Sequence, residues 1–308
     1  MNKNFAIAIH GGAGTILRSQ MTAEKEKVYT TALESCLQVG LRILQSGGSS
    51  LDAVEATIIE LENCPFFNAG KGSVFTNDGK HEMDASIMNG ANLDAGAVAM
   101  VQRIKNPITL ARSVMEKTEH VFLCGEGAEK FARSINAAFV DDKYFFDQLR
   151  YDQWQQVKDT GITQLDHVDE KKFGTVGCVA IDMHGNLAAG TSTGGMTNKR
   201  YGRVGDTPMI GAGTYANNKT CAVSCTGHGE YFIKAVVAYD VACLMEYKNL
   251  SLHDACNIVV NEKLKTIGGE GGLIAIDKNG NIELSFNSDG MYRAHAKSDG
   301  VIKVEIYK

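Results

Sequence analysis

The run Lys172-Phe173-Gly174-Thr175-Val176-Gly177-Cys178-Val179 puts a threonine at the head of an apolar, strand-like stretch, directly behind a glycine and a polar tract. A lone Gly-Thr pair in such a place is ordinarily a β-branched residue opening a strand. The chemical alternative is more specific. A threonine hydroxyl is a poor nucleophile until a base takes its proton, and one available base is the residue's own α-amino group. That amine exists only if the peptide bond before it is broken, and it titrates at about pH 8, close to working conditions. Gly174 suits such a cut, because it has no side chain to keep the Thr175 hydroxyl from its carbonyl and it tolerates backbone strain. Other routes lack support. The eight histidines show no HxxxH or HExxH spacing, and the eight cysteines form neither CxxC pairs nor a zinc ladder. His10 reads as a packed residue beside a glycine turn and His228 as a residue at a pocket mouth, neither as a proton carrier.

The elements that must position Thr175 follow from periodicity. Residues 5–9 form a short strand ending in the turn His10-Gly11-Gly12-Ala13-Gly14. Val28, Ala32, Cys36, Leu37, Leu41 and Leu44 recur at helical spacing between Thr22 and Ser46, and Gly47-Gly48 stops the helix. A second helix carries Leu51, Val54, Ile58 and Leu61 on one face up to Pro65. Strands Ala85–Met88 and Ala95–Val101 flank the turn Asn89-Gly90, and Asn106-Pro107 opens a helix. Residues 140–172 are polar without a sustained period and read as an exposed, mobile segment. Hairpins are expected at Val176–Ile181 with Leu187–Thr191 and at Leu273–Ile276 with Ile282–Phe286. Helical spacing runs from Glu230 to Tyr247, and Ser251 caps a further helix. Helices gathered between antiparallel strands, without βαβ alternation, indicate an α+β fold of two sheets with helices outside.

Bulk properties narrow the class. A chain of 308 residues that is 44% hydrophobic can bury a layered core without disulfides or a metal. A net charge of −5 with no long Lys/Arg run argues against nucleic-acid or membrane partners. No apolar run approaches the roughly 18 residues of a membrane helix, and the opening ten residues are too short and alternating for a signal-peptide core. Scattered thiols in apolar segments suit a reducing compartment, and the expected location is cytoplasmic.

Several stretches together resemble the plant-type asparaginase and isoaspartyl peptidase family, a branch of the N-terminal-nucleophile hydrolases. They are His10–Gly14 (HGGAG), Phe67–Val74 (FNAGKGSV), Glu82–Met88 (EMDASIM), Gly174–Gly177 (GTVG), Thr191–Lys199 (TSTGGMTNK), Gly202–Asp206 (GRVGD), Gly211–Asn217 and Ser224–Glu230 (SCTGHGE), in the family's order over nearly the full chain. The resemblance implies a four-layer αββα sandwich of two mainly antiparallel sheets. It implies one domain over 1–308, cut into 1–174, with a mobile linker at about 140–174, and 175–308. Thr175 matches the nucleophile and Thr193 the threonine that touches it; alone, Thr193 reads as a turn hydroxyl. Arg203 and Asp206 match the clamp for a substrate's carboxylate and ammonium, which a planar fork and a carboxylate suit; alone, they read as a surface ion pair. Thr226 and Gly227 match oxyanion donors, Gly229 a backbone contact to the substrate, and Asn68 a residue ordering the nucleophile's surroundings.

The resemblance further implies a structural sodium ion held by the main-chain carbonyls of Leu61, Glu62, Cys64, Phe67, Ala69 and Lys71, with no catalytic cofactor. The expected substrates are asparagine and β-aspartyl dipeptides, and the expected assembly is a dimer of processed αβ heterodimers. Two alternatives are a glycosylasparaginase-like amidase, whose group typically has an Asp where this chain has Gly174, and a non-catalytic relative that never cuts itself and serves as a binding protein.

Overall fold

A computed structural model describes residues 4–158, 160 and 172–308. The first strand, β1 (Ala6–Gly14), sorts its side chains between two cores by its two-residue period: Ile7 and Ile9 pack toward helices, Ala6 and Ala8 toward a second sheet. Two hydroxyl-capped helices follow. Thr22 accepts the Lys25 N–H at 3.2 Å to open α1 (Ala23–Gln45), and Ser49 accepts the Asp52 N–H at 3.1 Å to open α2 (Ser50–Asn63). The strands β2 (Met83–Asn89) and β3 (Ala95–Val101) pair antiparallel, and Pro107 begins α3 (Pro107–Lys117). After β4 (Phe122–Cys124), α4 (Gly125–Ser134) and α5 (Gln148–Val157) come β5 (Lys172–Phe173), β6 (Val176–Ile181) and β7 (Leu187–Thr193). The chain continues through β8 (Thr214–Ala216), β9 (Cys221–Gly227), α6 (Gly229–Ala235), α7 (Val237–Lys248) and α8 (Leu252–Asn257), the last running on as a π-helical stretch, Ile258–Leu264. It ends in β10 (Gly271–Asp277), β11 (Ile282–Phe286), β12 (Gly290–Lys297) and β13 (Ile302–Tyr307).

One sheet has the order β13-β12-β1-β6-β7-β2-β3-β4, with β5 beside β1; the other has the order β11-β10-β9-β8. Their pairings are antiparallel except β3 with β4. The sheets face each other through β1, β2, β6 and β7 on one side and β8, β9 and β10 on the other, while α1–α3 cover the first and α7 and α8 the second. The result is the expected α+β architecture of four layers, αββα. One apolar core lies between the first sheet and its helices; the second fills the space between the sheets and under α7 and α8. Among the described residues no helix is long and apolar enough to cross a membrane.

Two expectations need correction. The tract from 140 onward is not structureless over its first part: α5 lies there, Phe145 and Trp154 are buried, and Trp154 stacks on Phe75 at 5.6 Å between centroids. A few aromatic anchors suffice to dock a segment whose remaining positions are polar, so its periodicity is weak. Residues 159 and 161–171 of that tract lie outside the described residues. The helix expected from Glu230 to Tyr247 is two helices, broken at Val236 with φ +50°. The carbonyls of Gly211 and Ala212 take the N–H groups of Tyr239 and Ala238, satisfying donors that a helix start leaves open. Strands β4, β5, β8, β9, β12 and β13 had no counterpart in the sequence reading. Ile58, fully buried where α2 crosses the first sheet, is a direct probe of that packing. Ile58→Ala is expected to cost about 2–5 kcal/mol in a urea unfolding curve.

Candidate active site

Register brings the reactive row together. β6 and β7 pair Val176 with Ser192 and Gly177 with Thr191, so Thr175, just before β6, meets Thr193 at the end of β7; β2 sets Asp84 opposite Thr193 on the other side. Thr175 Oγ1 lies 3.2 Å from Thr193 Oγ1 and 2.8 Å from the Gly174 carbonyl oxygen, and Thr193 Oγ1 lies 2.9 Å from the same oxygen. Each hydroxyl has one hydrogen. A consistent assignment has Thr175 donating to Thr193 and Thr193 donating to Gly174 O. The Gly195 N–H donates to Thr193 Oγ1 at 3.0 Å. Asn68 Nδ2 donates to Gly174 O at 2.9 Å and to Gly195 O at 2.7 Å, while its Oδ1 accepts the Val74 N–H at 3.1 Å. The Gly174 carbonyl is therefore polarised by two donors, with the Thr175 oxygen against it.

Arg203 and Asp206 come to the same cavity. Arg203 donates through Nε and Nη2 to both carboxylate oxygens of Glu230 at 2.8 Å, which leaves its Nη1 edge toward the Gly205 turn. Burial pushes the Glu230 carboxyl up, but Arg203 outweighs it and holds the group below its usual range. Glu230 is the functional neighbour that sequence reasoning missed, although it ends the SCTGHGE stretch. Asp206 is buried, and its Oδ2 has no partner among the described residues. Burial pushes its carboxyl up to about 7, against the lowering pull of Arg203. Gly229 permits this close approach, since a Cβ there would sit 2.9 Å from both Arg203 Nη2 and Asp206 Oδ1. Thr226 is fully buried and its hydroxyl is likewise without a partner, at the end of β9 beside Gly227. The cavity enclosed by Gly174, Thr175, Thr193, Arg203, Asp206 and Gly227 is about 20 Å³, room for one water. Gly174 itself forms part of the lining of this cavity.

Further charges back the row. Asp84 is buried, its Oδ1 accepts the Met100 N–H at 2.8 Å, and burial raises its carboxyl while Lys199 opposes. Lys199 donates to the Glu82 carbonyl at 2.8 Å, and burial lowers its ammonium. Both residues lie in the EMDASIM and TSTGGMTNK stretches, where only their motif membership signalled them. His10 Nδ1 is 3.2 Å from the Thr175 carbonyl oxygen, which can only accept, so the ring proton sits on Nδ1. Burial drives His10 down to about 3, so it stays neutral and does not ferry protons. His228 Nε2 lies 3.3 Å from Glu230 Oε2 at the rim.

The segment from Leu61 to Lys71 leaves α2 and winds back on itself. A Cβ on Gly70 would collide with the Glu62 carbonyl, and one on Gly72 with the Phe67 carbonyl, so main-chain oxygens crowd inward where the glycines make room. Some are already engaged: Phe67 O accepts the Ala69 N–H at 2.9 Å, and Ala69 O accepts the Gly72 N–H at 3.1 Å. Among the described residues no cluster of His, Cys, Asp or Glu could hold a metal.

A four-layer αββα sandwich with a threonine heading a central strand is the arrangement of an N-terminal-nucleophile hydrolase. Residues 3–306 match the family model described as Asparaginase. The chain is 53% identical over 307 residues to the isoaspartyl peptidase of Escherichia coli, covering 98% of this chain and 96% of the relative. It is also 53% identical to the Salmonella typhimurium isoaspartyl peptidase over the whole of both chains. The probable isoaspartyl peptidase/L-asparaginase 2 of Arabidopsis thaliana is 41% identical, over 99% of each. The chain belongs to this asparaginase family.

Asp206 must be ionised to hold an ammonium, and in the ligand-free protein it changes charge near neutrality. Affinity for a zwitterionic amino acid, measured by calorimetry, is therefore expected to fall as pH drops below about 7, approaching tenfold per unit. Asp206→Asn is expected to bind weakly at every pH, without that slope.

Proposed function

We propose that the chain cuts itself between Gly174 and Thr175 and that the freed threonine hydrolyses asparagine and β-aspartyl dipeptides. The observation that carries this is the Gly174 carbonyl, which receives hydrogen bonds from Asn68 and Thr193 while Thr175 Oγ1 lies against it. In the first stage the Thr175 oxygen attacks the Gly174 carbonyl carbon, and the oxyanion forms where those two donors already point. The C–N bond then breaks, the proton moves to the Thr175 nitrogen, and an ester remains. Water hydrolyses the ester, releasing the Gly174 carboxylate and the Thr175 α-amine.

Departure of Gly174 opens the cavity. The Nη1 edge of Arg203 can then take the substrate α-carboxylate without giving up Glu230, and the unpartnered Asp206 Oδ2 can accept its ammonium. The free α-amine removes the Thr175 hydroxyl proton, and the oxygen attacks the side-chain amide carbonyl. The unpartnered Thr226 hydroxyl and the Gly227 N–H are suited to the developing oxyanion. Ammonia or an amino acid leaves with a proton, and water clears the aspartyl ester from Thr175. Names of the relatives, isoaspartyl peptidase and isoaspartyl peptidase/L-asparaginase, support this substrate class.

In the same reading the Leu61–Lys71 carbonyls hold a structural sodium ion, whose task is to fix the loop carrying Asn68; the inward crowding at Gly70 and Gly72 supports this. The eight unpaired cysteines support residence in the cytoplasm. A dimer of αβ heterodimers is the assembly proposed from the family.

Thr175→Ala protein is expected to stay one band on a denaturing gel for days and to release no ammonia from asparagine; two fragments together with turnover would overturn the scheme. Asn68→Ala is expected to slow self-cutting about a hundredfold, followed by the same gel. Exchanging sodium for choline should lower the melting temperature of the uncut Thr175→Ala protein by several degrees, a readout independent of activity.

A further inference from the structure

Strand register lines up a second row, immediately beside the reactive one. His10 on β1 pairs with Gly177 on β6, Gly177 with Thr191 on β7, and Thr191 with Ser86 on β2. The other sheet presents Thr214 on β8 paired with Ser224 on β9. Side chains from the two sheets interleave into one buried chain of polar atoms. His10 Nε2 is 3.0 Å from Ser224 Oγ, Ser224 Oγ 2.7 Å from Thr191 Oγ1, Thr191 Oγ1 2.5 Å from Thr214 Oγ1, and Thr214 Oγ1 2.8 Å from Ser86 Oγ. At its end the Ser86 hydroxyl donates to the Thr207 carbonyl at 2.6 Å. His10 and the four hydroxyl residues are all fully buried.

Direction is set at the near end. The His10 N–H is spent on the Thr175 carbonyl, so its other nitrogen accepts from Ser224. The Ser224, Thr191 and Thr214 oxygens then accept in turn, and the single Ser86 hydrogen is shared between Thr214 Oγ1 and Thr207 O. Room for the row comes from two glycines. A Cβ on Gly177 would collide with Ser224 Oγ and His10 Nε2, and a Cβ on Gly213 would collide with the Asp206 carbonyl. A polar row through the centre of an apolar sandwich costs desolvation that alanine or valine would avoid, so it needs a purpose beyond filling space.

We propose that this row is a positioning strut for the substrate clamp: it ties the main chain of Thr175 at one end to the Thr207 carbonyl, one residue past Asp206, at the other. Thr214 and Ser86 are thereby positioning residues that touch neither the substrate nor the reacting atoms. They hold the clamp residues in the geometry that grips a substrate's carboxylate and ammonium, and so set how tightly the substrate is held rather than how fast it reacts. The inference rests on the reading of Arg203 and Asp206 as the clamp.

The experiment compares Thr214→Val, which keeps shape and loses the hydroxyl, with Thr214→Ser, which keeps the hydroxyl, and uses Asp206→Ala as a reference. Thr214→Val is expected to raise KM for a β-aspartyl dipeptide about fivefold or more, with kcat and the self-cutting rate within about twofold of the parent. Thr214→Ser is expected to restore KM. A Thr214→Val protein with unchanged KM, while Asp206→Ala raises it, overturns the strut; so does a Thr214→Ser protein as impaired as the valine variant. Unchanged KM in Asp206→Ala instead overturns the clamp reading itself. If Thr214→Val yields no soluble protein, Ser86→Ala puts the same KM question at the far end of the row, and unchanged KM there overturns the strut.

Discussion

A single carbonyl group organises this molecule. The Gly174 oxygen is gripped by the Asn68 amide and the Thr193 hydroxyl, and the Thr175 oxygen is pressed against it from the same chain. Holding those groups together requires three separate parts of the fold: the loop after α2 supplies Asn68, the end of β7 supplies Thr193, and the head of β6 supplies the peptide itself. None of the three is adjacent in sequence. Only antiparallel registers set by a deep apolar sandwich bring them within hydrogen-bonding distance, which is why the two cores and this row are one design.

The proposed reaction gives one oxygen two tasks, and the geometry separates the groups that would serve each. Asn68 and Thr193, the donors proposed for the first oxyanion, come from the loop after α2 and the end of β7, whereas Thr226 and Gly227, proposed for the second, come from the end of β9 in the other sheet. The first pair is engaged in the uncut chain; the Thr226 hydroxyl has no partner among the described residues. An unpartnered buried hydroxyl and an unpartnered buried carboxylate oxygen on Asp206 are unfavourable to keep unless something arrives to meet them. The cavity lined by Asp206 and Gly227, about 20 Å³, is too small for an amino acid as it stands.

How far the sequence could be read depended on the kind of signal. Long helices with clean periodicity and hydroxyl caps, α1 and α2, were legible to within a residue or two, as were the hairpins with Asn-Gly or His-Gly-Asn turns. The break at Val236 was not, because a left-handed valine has no composition cue and depends on the Gly211 and Ala212 carbonyls far away in sequence. α5 was hidden because its few anchoring aromatics sit among polar residues. In the site, residues with reactive groups or motif glycines were found, and the structure brings Thr175, Thr193, Asn68, Arg203 and Asp206 together. Glu230, the Asp84–Lys199 pair and the hydroxyl row needed register, because a serine or threonine in a strand looks the same whether it meets a partner across the sandwich or not.

The order of strands in the larger sheet carries a consequence for what a cut at Gly174 can do. Those from before that bond are β1, β2, β3, β4 and β5; those from after it are β6, β7, β12 and β13. In space they are shuffled: β1 is zipped between β12 and β6, and β7 is zipped to β2. Three full ladders of main-chain hydrogen bonds therefore run between the two pieces. Severing the backbone releases a new chain end without releasing either half, so the pieces stay interlocked like woven fingers, and parting them would mean unravelling the whole sheet.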